Sequence, residues 1–366
     1  MKILVIKRDK IGDLLLTTPM LHHLRQALPD AEIHLLANDY NAWVVAENPD
    51  IDRLWVYDRV KVGKKIRVMA VIKQAWLEFR LRFERFDVAI VAGGDESKRA
   101  IKRALRIRAK RTIAFCAESS PLAGKLTDPS PLVPGVHEMD RMLSQLAPLG
   151  IRPPEKAIYP HFFLPGKWHD FAQKWLHDNG LAPQGYIVLG LGARRAKKQP
   201  TTQQILDWSR YFKERWGLDT VFMWTPGKSD NPLYPGDDEI AQPVLDARLP
   251  YIYPFRGALM PALGLIWSAR ISIFPDSGLM HFAAASPGGV LGLFAETDVS
   301  PSPVQWGPRG PRADYLEARK SVDELCDEVI FDNISNLLKS GEGLQSVEIL
   351  NHFNGRIQEP TATVQV

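Results

Sequence analysis

Cysteine is scarce in this chain: Cys116 and Cys326 are its only two, far apart and without any metal-ligand spacing. That excludes a disulfide framework and a zinc-knuckle architecture, and fits a reducing compartment. There is no Gly-x-Gly-x-x-Gly after the first β-branched run and no Walker lysine loop, which removes the usual signatures of dinucleotide enzymes and P-loop ATPases. The charge excess is small, +4 in 366 residues, short of what a dedicated nucleic-acid binder carries. The long uncharged stretch Ser277 to Ala295 is broken by His281 and by Ser286-Pro-Gly-Gly289, which argues against a membrane span. Lys2 to Ile6 is too short an apolar run for a signal peptide. The expected location is the cytosol, with room for peripheral contact with a membrane.

What is present is an alternation. Strand-like runs at Lys2 to Ile6, Glu32 to Leu36, Arg53 to Tyr57 and Asp87 to Val91 alternate with helical segments at Leu14 to Leu28 and Asn41 to Glu47, as in a parallel sheet covered by helices. A helix at Glu138 to Leu149 leads into breakers from Gly150 to Pro165. Beyond them the alternation restarts. Strands are expected at Tyr186 to Leu191, Thr220 to Trp224, Tyr251 to Tyr253 and Ala269 to Phe274. Helices are expected at Trp168 to Asn179, Thr202 to Trp216, Asp237 to Ala241, Met260 to Ser268 and Ser321 to Leu338. The fold class is α/β, two Rossmann-like domains over 1–165 and 166–340, with a weakly ordered tail over 341–366.

The densest chemistry lies in Ile273-Phe-Pro-Asp276-Ser277-Gly278-Leu-Met-His281-Phe-Ala-Ala-Ala285. A strand there turns into a helix, so free amides and the positive end of the helix dipole meet at Ser277 and Gly278, where a phosphate would sit. An ordinary helix cap explains the same residues. His281 is close enough to help with a phosphate or a sugar hydroxyl, although a lone helical histidine is more often structural. Arg194, Arg195, Lys197 and Lys198 follow the strand Tyr186 to Leu191 and suit a diphosphate; a solvated basic loop is the bland alternative. Val221 to Gly227 would line a nucleoside pocket at the same edge, with Trp224 more naturally a packing residue. In the first half, Asp13 follows strand Lys2 to Ile6 at the carboxyl end where open sheets place ligands; a first-turn helix cap is the even alternative. Gly12 suits the turn. Asp50-Ile-Asp52 has a metal-pair form, but a turn explains it and no metal is assigned.

Cations also interleave with apolar residues from Lys61 to Arg85, including Lys61, Lys64, Lys65, Arg67, Lys73, Arg80 and Arg82, and again from Lys98 to Arg111. That basic amphipathic surface fits an anionic membrane face or glycolipid better than duplex nucleic acid, with an ordinary surface helix of solvated cations as the even alternative.

The ordered set "ILVIKRDKIGDLLLTTPML", "NPDIDRLWVYD", "HEMDRMLSQLAPLGI", "KKQP", "FPDSGLMHFAAA" and "LFAETD" resembles glycosyltransferase family nine, the lipopolysaccharide heptosyltransferases. The resemblance implies a GT-B architecture, two Rossmann-like domains facing a cleft, with acceptor bound by the first and nucleotide-heptose by the second. It also implies an inverting, metal-independent transfer from a nucleotide-diphosphate-heptose such as ADP-heptose, without cofactor, to a lipopolysaccharide core acceptor at the cytoplasmic face of the inner membrane. Asp13 matches the family's general base, Lys197 the lysine before its Trp-Pro, and Asp276, Ser277, Gly278 and His281 its donor turn. Arg194 is assigned to the diphosphate by charge and placement. Lys61, Lys64 and Lys65 are assigned to an anionic acceptor by their charge. Two departures stand out: Gln199 replaces the family's frequent Trp, and Thr225-Pro-Gly227-Lys228 lacks a ribose-binding glutamate. The rival readings are transfer of a different sugar to a core oligosaccharide or other glycan, and non-catalytic binding to an anionic membrane or nucleic acid. An NAD-dependent oxidoreductase ranks below both.

Overall fold

The computed structural model describes residues 1–62, 65–193, 195–231, 235–296, 298, 302–340 and 363–365. The chain divides into two compact units, residues 1–163 with 358–366, and residues 164–357. The expected tail over 341–366 lies outside the described residues except for a strand at Thr363–Gln365.

Each unit is built on a parallel sheet. In the first, Arg53–Tyr57, Glu32–Asn38, Lys2–Ile6, Val88–Val91, Arg111–Phe115 and Asp128–Ser130 lie side by side in that order, and Thr363–Gln365 extends the Arg53 edge. In the second the order is Ile252–Phe255, Asp219–Met223, Tyr186–Gly190, Ile271–Pro275, Val290–Phe294 and Ala313–Glu317. Every pairing within the two sheets is parallel. The central strands are buried on both faces, which is why they read as unbroken apolar runs such as Tyr-Ile-Val-Leu-Gly.

The strand order has a functional consequence. In both sheets the chain first winds outward one way from the strand that opens the unit and then resumes on that strand's other side. The reversal falls between Lys2–Ile6 and Val88–Val91 in the first unit, and between Tyr186–Gly190 and Ile271–Pro275 in the second. Loops leaving the carboxyl ends of such neighbouring strands diverge and leave a crevice, the usual ligand position in open α/β sheets.

Several elements differ from the sequence-based expectation. The helix expected from Leu14 to Leu28 is two helices, Ile11–Leu15 and Thr18–Ala27, because Pro19 suits a first helical turn and not a helix interior. Asn41 to Glu47 forms only a 3₁₀ turn at Ala42–Val45. The helix at Glu138 stops at Ser144, with a separate 3₁₀ turn at Ala147–Leu149. The closing helix begins at Asp327, after a 3₁₀ turn at Val322–Glu324. The basic run 98–111 divides into a helix, Lys98–Ile107, and the strand Arg111–Phe115.

Candidate functional site

In the second unit, two glycines let the loops at the strand reversal come together. A Cβ on Gly190 would stand 2.0 Å from the Phe274 ring, and one on Gly192, which has φ +22, would stand 3.1 Å from the Ser277 hydroxyl. Backbone without side chains is therefore what allows the basic loop to lie against the Asp276-Ser277-Gly278 turn.

The loop then coils into a 3₁₀ turn at Ala196–Lys198, which sends the two adjacent lysines to different places. Lys198 is buried, and its Nζ lies 2.6 Å from Asp276 Oδ2. Lys197 is 64% exposed and lies 3.5 Å from Glu296 Oε1, beside Arg195 at 3.3 Å from Glu296 Oε2. Of the cations expected at the diphosphate, Lys197 and Arg195 are thus exposed on either side of Glu296, while Lys198 neutralises Asp276. Arg194 lies outside the described residues.

Ser277 is the N-cap of the short helix Gly278–Ala284, yet its hydroxyl makes no capping bond. Ser277 Oγ is buried without a hydrogen-bond partner, an arrangement that costs about 1–3 kcal/mol unless a ligand or water completes it. His281 is fully enclosed. Burial pushes its imidazole down to about 4 against the opposing pull of the Asp276 charge, so the ring is neutral near pH 7, and its Nδ1 also lacks a partner.

Gln199 sits behind this turn. Its amide donates to the Ala193 carbonyl at 2.7 Å and to Asp237 Oδ1 at 2.9 Å, and burial holds the Asp237 carboxyl above its ordinary value. The next loop is tied down by Asp238, which accepts from the Trp224 indole at 2.8 Å and the Gly227 amide at 3.0 Å, and is gripped by two Arg256 nitrogens at 2.9 and 2.8 Å. Trp224 is buried and stacks on Phe222, so it packs and does not offer a face for stacking.

The first unit assembles a different chemistry. Asp13 is at the third position of helix Ile11–Leu15, and its Oδ2 accepts from the Lys10 amide at 3.1 Å, so it does cap the helix. Burial nevertheless raises its carboxyl above the ordinary value, against the lowering pull of Lys7. Lys7 is buried, and its Nζ lies 3.3 Å from Asp9 Oδ2. A carboxylate of raised proton affinity near a fixed cation is a suitable proton acceptor near neutral pH.

Across the strand reversal, the Gly94 amide donates to Glu138 Oε1 at 2.6 Å, and a Cβ on Gly94 would meet Glu138 Oε2 at 2.2 Å. Arg141 Nη1 donates to the Gly94 carbonyl at 3.3 Å and lies 3.6 Å from Asp95 Oδ1. Glu138 and Arg141 are both buried. In the sequence the only sign of this cluster is two opposite charges three apart on one helix, Glu138 and Arg141. Lys61 is exposed in the short antiparallel pair of Lys61–Val62 with Lys65–Ile66, in which Lys65 is opposite Val62, and Lys64 lies outside the described residues.

Asp50 and Asp52 do structural work. Asp52 accepts from the Ile33 amide and Arg25 at 2.6 and 2.5 Å, and Asp50 lies between His22 at 3.2 Å and His161 at 3.5 Å. Glu32, His34 and Glu84 converge where strands begin, and the Lys2 ammonium sits between the two glutamates.

No family model matches the chain. Lipopolysaccharide heptosyltransferase 3 of Escherichia coli is 27% identical over 303 residues, covering 78% of this chain and 81% of the relative. The fold is that of a glycosyl transferase family 9 protein from Veillonella parvula, with a TM-score of 0.77 and 22% identity over 92% of this chain and 97% of that one. It is also that of the E. coli ADP-heptose heptosyltransferase II, with a TM-score of 0.71 and 18% identity over 93% and 100%. A third similar structure, an E. coli heptosyltransferase solved with ADP, gives 0.72 and 16% over 92% and 100%. The resemblance read from the motifs is borne out by these relatives, as is the two-domain α/β fold of the GT-B class.

Proposed function

We propose, from the premise that the chain is a glycosyltransferase homologous to the lipopolysaccharide heptosyltransferases, that it transfers a heptose from ADP-heptose to an anionic core acceptor of lipopolysaccharide with inversion and without a metal ion. The observation that carries the reading is the turn at the second unit's strand reversal: an orphaned Ser277 hydroxyl beside the Lys198–Asp276 pair, with Lys197 exposed on the same loop. These are groups an incoming diphosphate sugar satisfies. The E. coli relative solved with ADP supports adenine as the base.

In this mechanism Asp13 takes the proton from an acceptor hydroxyl while that oxygen attacks the anomeric carbon from the face opposite the diphosphate. The bond from the anomeric carbon to the leaving phosphate oxygen breaks as the new glycosidic bond forms. Lys197 and Arg194, with the Ser277 and Gly278 amides, receive the departing negative charge, a task for which fixed donors and cations need no divalent ion. Asp276, held by Lys198, accepts hydrogen bonds from sugar hydroxyls. Neutral His281 supports the turn from behind. Lys61, Lys64 and Lys65 attract the anionic acceptor, and transfer takes place at the cytoplasmic face of the inner membrane. Among the described residues no helix is long and apolar enough to cross that membrane.

The test is transfer by purified protein in the presence of a chelator, using a panel of nucleotide sugars and a heptose-deficient core acceptor, with the product's anomeric configuration read by NMR. Inverted heptoside formed from ADP-heptose is expected. Turnover of another nucleotide sugar with ADP-heptose inert would move the assignment to a different donor, and loss of turnover on chelation would remove metal independence.

A further inference from the structure

The helix Val68–Phe83 is apolar on two opposite faces. Leu77 and Leu81 are buried in the first unit's core, and Ala70 is buried on the same face. On the other side, Val68, Ile72, Trp76, Phe79 and Phe83 recur every three or four residues, and each is more than half exposed. This is a continuous apolar stripe four turns long, and isolated exposed hydrophobics do not account for it. Its flanks are cationic. Lys73 and Arg80 border one side, with the Arg80 guanidinium 4.7 Å from the Trp76 ring centroid, and Arg82 borders the other.

A second observation adjoins the stripe. Helix Lys98–Ile107 packs beside Val68–Phe83, joined to it by the Arg103–Glu78 pair at 2.9 Å and by Arg82 donating to the Arg106 carbonyl. Next to that seam is an open depression of about 360 Å³ lined by Arg82, Lys102, Arg106, Arg108 and Lys125 with Leu105 and Leu122, and no acidic residue lines it. Arg108 holds the left-handed position after the helix, φ 61, where glycine is the less strained residue.

We propose that the outward face of helix Val68–Phe83, together with this five-cation depression, is a docking surface for an anionic phospholipid bilayer. The inference rests on the functional reading for its purpose, a membrane-borne acceptor, and on the surface chemistry for its substance. A bilayer offers both complements at the right depths: phosphates for the cations and acyl chains for the aromatic stripe. A second copy of the chain would bring the same cations face to face, and a soluble acidic partner would leave the stripe in water.

The experiment is flotation of the full chain with phosphatidylcholine vesicles, alone or mixed with phosphatidylglycerol, at low and high salt. Wild-type protein should float with the anionic vesicles, less so in high salt. The double variant Trp76→Gln with Phe79→Gln replaces exposed side chains and should fold. It should lose about tenfold or more of the binding, as removing inserted apolar area requires. Lys102→Gln and Lys125→Gln should each lose about fivefold. All these variants should keep their affinity for ADP and their transfer to a deacylated acceptor. Wild-type protein that ignores anionic vesicles, or floats equally with zwitterionic ones, would overturn the proposal. So would an oligomer that the Trp76 and Phe79 variant dissolves without any loss of vesicle binding. Vesicle binding without sugar transfer would leave the docking surface standing and remove the functional reading instead.

Discussion

Alanine replacements of Lys197 and Lys198, made one at a time, should have opposite effects on stability and on donor binding. Lys198 Nζ is 2.6 Å from Asp276 Oδ2, with the two side chains only 6% and 15% exposed. Lys198→Ala therefore leaves a carboxylate largely out of water without its counter-charge, which costs about 3–5 kcal/mol in buried pairs; the remaining exposure of Asp276 favours the lower end. For a unit of this size each kcal/mol lowers the transition by about 2–4 °C, so the second unit should melt about 6–12 °C earlier. Lys197→Ala breaks only a 3.5 Å pair between an exposed ammonium and Glu296, which keeps Arg195 as its partner; that is worth about 0–1 kcal/mol and should barely move the transition. If the Lys197 ammonium meets the diphosphate, its loss forfeits a charge-assisted bond of about 1.5–3 kcal/mol, or about 10- to 100-fold in ADP affinity by calorimetry. Differential scanning calorimetry reads the first effect and titration with ADP the second. A Lys198→Ala protein that melts like wild type, or a Lys197→Ala protein with unchanged ADP affinity, would refute the division of labour between the two lysines.

Asp13→Asn should lower turnover by about 10²–10⁴-fold with donor affinity unchanged in calorimetry. Because burial raises the Asp13 carboxyl above 3.8, the acid limb of kcat/KM should lie above that value, and rate profiles that place it lower would count against the base assignment. Burial pushes the Asp50 carboxyl up, but hydrogen bonds and charge from His161 and His22 outweigh it and hold the group at about 2, below its ordinary 3.8. Its stabilisation is complete above the ordinary value and is lost as pH falls through about 2. Asp50→Asn should thus cost about 2 kcal/mol in urea denaturation at pH 7 and almost nothing near pH 2. His281 titrates at about 4 in the folded chain and 6.5 when unfolded. Protons therefore favour the unfolded chain between those values, removing about 3 kcal/mol as pH falls from 6.5 to 4. A melting temperature insensitive to pH across that window would mean that His281 is solvated.

The sequence carried the architecture well where strands are buried on both faces, because Ile3 to Ile6 and Tyr186–Gly190 are unbroken apolar runs. It carried less at the sheet edges. Asp128–Ser130 contains Pro129, tolerable in a strand at an edge and otherwise a mark against one. Arg111–Phe115 follows directly on a run of cations, whose charge hides the short apolar strand. Val290–Phe294 lies inside the uncharged stretch Ser277 to Ala295, where no change of charge marks the strand's ends. In the site, the residue types and the loops were legible but the facing of adjacent side chains was not: Lys197 and Lys198 are chemically identical neighbours, and only the 3₁₀ turn at Ala196–Lys198 decides which of them reaches Asp276. The same limit explains Val68–Phe83. Apolar residues recur on both sides of that helix, so periodicity identifies a helix without saying which face the core takes. The core takes Leu77 and Leu81, aliphatic enough to lie close to the sheet, with Ala70 buried on the same face, and leaves Trp76, Phe79 and Phe83 outside. Aromatic residues bury the most area per side chain, so a fold that leaves three of them in water on one face, ringed by cations, retains a large unused contribution to binding free energy.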